Sequence, residues 1–460
     1  MNISLSPEQL LADLKQLTAD DRATANETMR HQHSRDESHH LPVMPDVVVF
    51  PASAQEVSAV LRYANEHRIP VVPFGAGSSL EGHSIPLAGG ISLDFQHMNQ
   101  IVEVRPDDFL VRVQPGVTRT QLNQALKKYG LFFPVDPGAD ATIGGMTATN
   151  ASGTTSVRYG TMRSQVRDLE VVLADGSVIR TGGLSAKSSS GYHLTGLFVG
   201  SEGTLGVFTE ITLRVYGIPE SIVAGRATFP SVRAAVDGAI SLLGAGIAVA
   251  RVELVDSDSI KQVNRHSGTD YPEQPTLFLE FHGSEAALPH DVAFAEDLLR
   301  EYGARDFLVE TDSKKRAQLW DARHNLAYAY KHGFPGREMM ITDVCLPLSE
   351  LSDAVEHARQ VIDASGLSGG VMGHVGDGNF HTSLMYSRQD PAEIAAAEKV
   401  NEEIVLFALQ RGGTCTGEHG IGIGKKKYLA KEHPDTLPWM KAIKRQFDPH
   451  GILNPGKIFP

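Results

Sequence analysis

Three glycine-rich segments in the N-terminal half constrain the fold of this chain more than any other feature. They cover residues 74–80, residues 137–160 and residues 200–207. Most of their side chains are small, and their hydroxyl groups and Asn150 would be poorly placed in an apolar interior. We therefore expect a large ligand to lie against this backbone, with a tightly packed core of small residues as the alternative.

The first segment, FGAGSSL at residues 74–80, follows a predicted strand. The backbone N–H groups of such a loop can face a phosphate that larger side chains would block. Its pattern is GxGxxL, so the Rossmann fingerprint fails at the third glycine. The segment predicts a pyrophosphate site, and an ordinary glycine turn is the open alternative.

Length, net charge and cysteine content limit the folds and partners that this chain can have. A chain of 460 residues predicts two or three domains. The net charge of -13 argues against nucleic acid or an anionic membrane as a partner. Only Cys345 and Cys415 occur, which excludes a disulfide framework and a cysteine-based metal site. Without a recognisable transmembrane segment or targeting signal, the predicted location is cytoplasmic, with peripheral attachment at the inner membrane as the alternative.

Hydrophobic periodicity divides the chain into four regions. Residues 1–41 predict an N-terminal helix and a surface lead-in, whose histidines at 31, 33, 39 and 40 are expected to be solvated. Residues 42–218 begin with a strand, a helix over 54–67 and a second strand. A second, α+β domain is predicted over 219–410, and residues 411–460 are again rich in glycine and turns.

Two histidines flank a predicted Asp-Gly turn within residues 371–381. A two-residue turn at 377–378 would pair Gly376 with Asn379 and set His374 directly opposite His381. Both side chains would then project from one face with Cβ atoms about 5 Å apart, a suitable separation for two imidazoles on one metal ion. A pair of half-buried sheet histidines without a ligand is the alternative.

A second candidate is the loop TCTGEHGIG at residues 414–422, where Glu418 and His419 adjoin among glycines. Such a loop can direct both side chains inward, although a solvated turn is the common outcome. A third candidate is Arg323, which falls on the apolar stripe of a helix predicted over 314–331. A guanidinium that faces the interior needs an anionic partner, either a substrate carboxylate or a structural acid.

In order and separation, the three glycine-rich segments resemble the FAD-binding domain of the vanillyl-alcohol oxidase and p-cresol methylhydroxylase (PCMH) superfamily over residues 42–218. The resemblance implies an α+β chain: a PCMH-type FAD-binding domain of two α/β subdomains and a C-terminal α+β cap domain with an antiparallel sheet. Covalent members carry a His where this chain has Gly77, so non-covalent FAD is implied. The implied FAD-binding residues are Pro73, Gly75, Ala76, Gly77, Ser78, Ser79, Pro137, Gly138, Thr142, Gly144, Gly145, Asn150, Ser152, Gly153, Tyr159, Gly206, Val207 and Asn454.

The segments around His381 and His419 together resemble the C-terminal half of the D-2-hydroxy acid dehydrogenases. The resemblance implies that His374, His381 and Glu418 bind a divalent metal, zinc or manganese. It implies that residues 411–460 complete the active site and return to the FAD domain. His419 would contact the substrate and act as general base, and Arg323, within the family-like segment WDARHN, would bind the substrate carboxylate. On this reading metal binding would lower the pKa of the 2-hydroxyl, an imidazole would take its proton, and hydride would pass to flavin N5.

Two departures from the family pattern select the substrate. Ile341 and Ser383 stand where the resemblance places a Lys and an Asn in hydroxyglutarate enzymes. We therefore predict oxidation of D-lactate to pyruvate, with a cytochrome, a quinone or an electron-transfer flavoprotein as electron acceptor. A glycolate or D-2-hydroxyglutarate dehydrogenase (subunit) and a metal-free flavin oxidase of the same superfamily are the alternatives. The oligomeric state is left open, with a homodimer as one option.

Overall fold

The computed structural model describes residues 5–460, and its chain forms two compact units. The first unit contains the residues up to Ser152, Gly160–Ile218 and Glu418–Pro460, and the second contains Gly153–Tyr159 and Pro219–Gly417. The predicted C-terminal segment 411–460 is thus divided at Gly417. The first four residues of the predicted N-terminal region lie outside the described residues.

The first unit contains three sheets. In a four-stranded sheet the strands run in the order Ala23–Thr24, Val47–Val49, Ile91–Asp94 and Val71–Phe74, and the last three are parallel. In an antiparallel five-stranded sheet the order is Ile101–Arg105, Leu110–Val113, Val207–Arg214, Val166–Val172 and Val178–Arg180. A short sheet pairs Leu131–Phe132 with Tyr216–Gly217. The α-helices of this unit are Pro7–Leu17, Glu27–Gln32, Ala54–His67, Arg119–Leu126, Ile143–Thr149, Met162–Gln165, Leu194–Phe198, Lys426–Glu432 and Leu437–Phe447.

The helix Ala54–His67 shows why these elements form. The Ser53 hydroxyl accepts a hydrogen bond from the Glu56 N–H at 3.3 Å and caps the first turn. Val57, Val60 and Leu61 lie on one face and are fully buried against the parallel strands. The bounds are those that the apolar spacing predicts, because cap and stripe are both local signals.

The lead-in before Pro42 is less exposed than its polarity suggested, so the prediction of a solvated segment is wrong for His33. This residue is only 4% exposed, and its Nε2 lies 2.8 Å from an oxygen of Asp94. Its ring packs against Phe74 at 4.4 Å between centroids. A buried carboxylate from a distant strand stabilises this histidine, and local sequence does not reveal such a partner.

The second unit is built on one antiparallel eight-stranded sheet. Seven strands follow the order Arg305–Glu310, Ser221–Thr228, Thr276–Gly283, Val249–Val255, Ser368–Gly373, Asn379–Tyr386 and Glu338–Ile341, and Val344–Cys345 also pairs with the strand Asn379–Tyr386. The helices are Ser156–Tyr159, Val232–Gly244, Ser257–Ser267, Leu288–Glu301, Ser313–His324, Leu326–Gly333, Leu348–Ser365 and Pro391–Gln410. Helices together with antiparallel and parallel strands confirm the α+β class.

The helix predicted over residues 314–331 is two helices, Ser313–His324 and Leu326–Gly333. Asn325 separates them with φ -82° and ψ 8°, outside the helical range. Asparagine is a poor helix former because its side chain competes for backbone hydrogen bonds. Arg323 remains in the last turn of the first helix and is buried.

Candidate active site

His374 directly follows the strand Ser368–Gly373, and His381 lies in the strand Asn379–Tyr386, but the two strands do not pair in the predicted register. Met372, and not His374, pairs with His381, so the pairing is shifted by two residues. The connection is also longer than the predicted two-residue turn: the N–H of Asp377 donates to the carbonyl of His374, and Gly378 follows with φ +88°. The N–H of Leu346 donates to the Gly378 carbonyl at 3.0 Å, a contact from outside the hairpin that helps to set this register.

A shift of two residues keeps the alternation of side chains in step, so Met372 and His381 share a face, and the ring of His374 just beyond the strand end still lies near that of His381. Their ring centroids lie 5.4 Å apart at an interplanar angle of 84°. Both residues are buried, with 9% of His374 and 6% of His381 exposed. The structure therefore places the two histidines close together as predicted, but His374 does not lie directly opposite His381.

Each of these imidazoles has a hydrogen-bond acceptor at Nδ1. Nδ1 of His374 donates to Oε1 of Glu253 at 2.7 Å, and Nδ1 of His381 donates to the Thr342 carbonyl at 3.2 Å. A proton held on Nδ1 leaves the lone pair on Nε2, the atom that can bind a metal ion. Two such nitrogens on buried, neighbouring rings fit a transition-metal ion chemically.

Glu253 is a functional candidate that sequence reasoning missed. Its side chain is fully buried in the strand Val249–Val255, and its Oε2 lies 2.7 Å from Nη2 of Arg323. One carboxylate thus contacts both the candidate metal histidine His374 and the candidate substrate arginine. The available signal was Glu253 in the strand-like run VARVELV, in which Arg251 is the other charged residue, since a buried acid needs a partner.

Asp343 is the second missed residue. Its fully buried carboxylate accepts from Nδ2 of Asn379 at 2.8 Å and from the Thr416 hydroxyl at 2.7 Å, and lies 3.7 Å from Nδ1 of His381. The carboxylate therefore holds Thr416 beside the strand that carries His381. Glu418 follows Gly417, the last residue of the second unit, directly in the chain.

Glu418 and His419 belong to the first unit, unlike the two metal-site histidines. Oε2 of Glu418 accepts a hydrogen bond from the Ser152 hydroxyl at 2.8 Å, and Oε1 lies 3.8 Å from Nε2 of His419. Both side chains are only 13% exposed. A solvated turn, the alternative for this loop, therefore does not describe it.

The first two glycine-rich segments meet in the first unit. A Cβ atom added to Gly75 would clash with the hydroxyl of Thr142, so the two backbones approach closely. Gly138 has open space where its side chain would be, and both Gly138 and Gly145 are exposed. A surface without side chains, next to a polar loop, fits an extended dinucleotide such as FAD.

Several predicted cofactor residues also have structural contacts. Asn150 adopts φ +53° at the end of the helix Ile143–Thr149. A Cβ on Gly206 would clash with Val171, and Asn454 donates to the carbonyl oxygens of His83 and Glu202 at 3.0 and 2.8 Å.

Tyr159 belongs to the second unit, where its hydroxyl lies 2.9 Å from Nδ1 of His282. These contacts explain local structure, and contact of Tyr159 or the other predicted residues with FAD stays a prediction.

Two families match the chain. The family described as "FAD binding domain" matches residues 45–182, and that described as "FAD linked oxidases, C-terminal domain" matches residues 218–458. Among solved structures, the 4-ethylphenol oxidase from Gulosibacter chungangensis covers 99% of this chain and 98% of its own, with a TM-score of 0.81 and 20% identity. At that identity the similarity shows the fold alone, and it confirms the PCMH-type architecture.

Curated relatives match almost the whole chain. A protein of Danio rerio named "Probable D-lactate dehydrogenase, mitochondrial" is 45% identical over 98% of this chain and 92% of its own length. "D-lactate dehydrogenase [cytochrome], mitochondrial" of Arabidopsis thaliana is 43% identical over 99% and 80%. "Glycolate oxidase subunit GlcD" of Bacillus subtilis is 35% identical over 90% and 89%.

These names contradict the predicted cytoplasmic location, because the Danio and Arabidopsis relatives are mitochondrial. The prediction failed since composition reports solubility and not the compartment. Within residues 5–460, no helix is both long enough and apolar enough to cross a membrane.

Proposed function

This chain belongs to the FAD-linked oxidases, the family that contains the D-lactate dehydrogenases, and we propose on that premise that it oxidises D-lactate to pyruvate with non-covalently bound FAD. The relatives' names support this substrate, as does Ile341, which stands where a hydroxyglutarate enzyme is expected to have a Lys. The observation that carries the proposal is the buried pair His374 and His381, whose Nδ1 atoms are both engaged as donors.

We propose that His374, His381 and Glu418 hold a divalent cation, zinc or manganese. Two neutral imidazoles and one carboxylate suit either metal and leave coordination positions for substrate oxygens. The orienting acceptors support the assignment, because metal-binding histidines usually donate their other N–H to a carboxylate or carbonyl oxygen. Glu418 joins the set through the family motif and through its place directly after the anchored segment Thr416–Gly417.

Arg323 is proposed to bind the substrate carboxylate. Its guanidinium has five N–H donors, and the contact with Glu253 uses Nη2. Donors therefore remain for a second anion, and the buried Glu253 balances the charge when no substrate is bound. The sequence left a structural ion pair open as the alternative role of Arg323, and the pair with Glu253 is compatible with binding of the substrate carboxylate.

Bound FAD would supply the hydride acceptor, and a cation held by His374, His381 and Glu418 would lower the pKa of the substrate hydroxyl. His419 takes the hydroxyl proton, since an imidazole titrates near neutrality and its neighbour Glu418 can stabilise the imidazolium. Arg323 orients the substrate carboxylate and thereby fixes the direction of the substrate's Cα–H bond. We propose a cytochrome as the electron acceptor, as the Arabidopsis relative's name states for that protein; a quinone or an electron-transfer flavoprotein is the alternative.

Anaerobic bleaching of the flavin tests the proposal. The purified holoenzyme is mixed with D-lactate, L-lactate, glycolate and D-2-hydroxyglutarate, and the metal content of the same sample is measured. Fast bleaching by D-lactate alone, with about one divalent ion per chain, is expected. Chelation should abolish bleaching and zinc or manganese should restore it, whereas full activity after complete metal removal would refute the metal-assisted mechanism.

A glycolate-oxidising subunit is the second candidate, favoured by the similarity to the Bacillus subtilis protein. That function predicts bleaching by glycolate at least as fast as by D-lactate. The same substrate panel separates the two functions without a further preparation.

A further inference from the structure

The third glycine-rich segment contains a buried acid that none of the roles above uses. Glu202 is 5% exposed and adopts φ +54°, a left-handed conformation that is costly for a residue with a Cβ atom. Its carboxylate accepts hydrogen bonds from the N–H of Ile421 at 2.7 Å and from that of Gly422 at 2.9 Å. The strained backbone thus directs a charge at two consecutive amides, just after the Glu418–His419 pair.

The same carboxylate contacts the first glycine loop through one histidine. Nε2 of His83 lies 3.1 Å from Oε2 of Glu202, and Nδ1 of His83 contacts the hydroxyl of Ser79. Burial disfavours both charges, yet the two groups stabilise each other: the pKa of His83 is raised and that of Glu202 is lowered. The structure therefore favours a buried ion pair in the interior of the first unit.

The glycines of the 418–424 loop fit this pair closely. A Cβ atom on Gly420 would lie 2.7 Å from Nε2 of His83 and 2.9 Å from Oε1 of Glu202. A Cβ atom on Gly422 would clash with the carbonyl of Glu81, and the N–H of Ile423 donates to that carbonyl at 2.7 Å. The alternating glycines after His419 are thus required by contact with the segment 81–83 and with Glu202.

We propose that Glu202 is a positioning residue that fixes the loop carrying Glu418 and His419, and that His83 connects this loop to the FAD-binding loop at Ser79. The inference rests on the proposed function, which gives Ser79, Glu418 and His419 their roles. Ser79, His83, Glu202 and the loop amides all lie in the first unit, so the connection needs no movement of the second. Binding of FAD phosphate near Ser79 would then stabilise the same hydrogen bonds that hold His419.

Glu202→Gln tests the proposal, because an amide loses the charge that holds two N–H donors and His83 together. In the holoenzyme at saturating FAD and metal, the limiting rate of anaerobic flavin reduction by D-lactate should fall about 30-fold or more, while the half-saturating D-lactate concentration changes about threefold at most. Amide hydrogen exchange of a peptide covering residues 418–424 should accelerate about tenfold. The matched control is Asp168→Asn, another buried carboxylate, which accepts from the N–H of Gly182 and pairs with Arg180.

Gly420→Ala provides a second test if the Gln variant folds poorly, because it disturbs the pair without removing a buried charge. Gly130→Ala is its control: this glycine also has positive φ, +68°, but no atom in the described part of the chain lies within 4 Å of an added Cβ atom. The Gly420 variant should reproduce the slow reduction and faster exchange, and the Gly130 variant should not.

His83→Gln tests the connection. It should both accelerate exchange in the loop and weaken FAD binding about fivefold or more, measured by fluorescence of released flavin. If the Glu202 and Gly420 variants reduce flavin and exchange amide hydrogens at wild-type rates, the positioning role of Glu202 is wrong. If the His83 variant binds FAD with unchanged affinity, His83 does not connect the 418–424 loop to the FAD-binding loop. If no D-2-hydroxy acid bleaches the wild-type flavin, the proposed function fails, while the exchange measurements still test Glu202.

Discussion

Glu253 and His374 are joined by a hydrogen bond of 2.7 Å between residues 121 positions apart in the chain. The same carboxylate binds Arg323, so one buried acid orients a proposed metal ligand and a proposed substrate ligand. Removing its charge should therefore affect the metal and the substrate together. The sheet offers a close parallel for comparison, since Glu280 lies 2.7 Å from Nε2 of His282 and 3.5 Å from Nε of Arg251.

Glu253→Gln should weaken divalent-metal binding about 10- to 100-fold, because loss of an orienting partner lowers the basicity of the histidine and loosens its ring. Equilibrium dialysis followed by elemental analysis measures the effect, and FAD content should stay at the wild-type level. Glu280→Gln is the control and should keep its metal. Wild-type metal affinity in the Glu253 variant would show that His374 is not a ligand or needs no orientation.

Arg323→Lys should raise KM for D-lactate about tenfold or more. Lysine keeps the charge opposite Glu253 but lacks the planar fork that binds a carboxylate through two N–H groups. Arg251→Lys, made in the same sheet, controls for general effects of the exchange. Steady-state kinetics with an artificial electron acceptor gives both KM values. An unchanged KM in the Arg323 variant would show that Arg323 forms only a structural ion pair with Glu253.

His419→Ala should keep FAD and metal but slow flavin reduction by about 100-fold or more, the usual contribution of a general base. Stopped-flow absorbance under anaerobic conditions measures the rate. His290→Ala, at an exposed site in the helix Leu288–Glu301, is the control. Reduction at the normal rate would assign the base to another group.

Gly138→Ala should weaken FAD binding about tenfold, because a methyl group there meets no atom of residues 5–460 within 4 Å and would therefore disturb only a bound ligand. Gly183→Ala is the matched control, since its added Cβ atom also has no neighbour within 4 Å among the described residues and no FAD contact is predicted there. Flavin release followed by fluorescence gives both dissociation constants. Equal constants in the two variants would remove Gly138 from the FAD site.

Lys457 should make stability depend on pH in alkaline solution. Burial lowers its pKa from 10.5 to about 8, against the opposing charges of Asp36 and Glu202. Between these values the unfolded chain binds more protons than the native one, so the free energy of unfolding rises with pH from 8 to 10.5, by at most about 3 kcal/mol. Lys457→Met should lack this rise when the unfolding midpoint is measured against pH, and parallel curves would disprove the shift.

The sequence by itself determined the features that depend on neighbouring residues. The cap and apolar stripe of the helix Ala54–His67 predicted its bounds, and the glycine-rich segments predicted an FAD-binding fold that the comparisons support. Strand alternation predicted that His374 and His381 lie close together, and this proximity survives a register error of two residues, whereas an error of one would turn the strand's side chains to the other face.

Only the tertiary structure decided which residue each buried polar side chain contacts. Glu253 and Asp343 beside the histidines, Asp94 beside His33, and Glu202 beside the 418–424 loop all come from strands or loops distant in sequence. A buried polar group must find a partner because desolvation is costly, but which partner it finds depends on how strands pair. Local patterns show that a buried acid needs such a contact, and only the assembled sheet and loops bring the contacting residue to it.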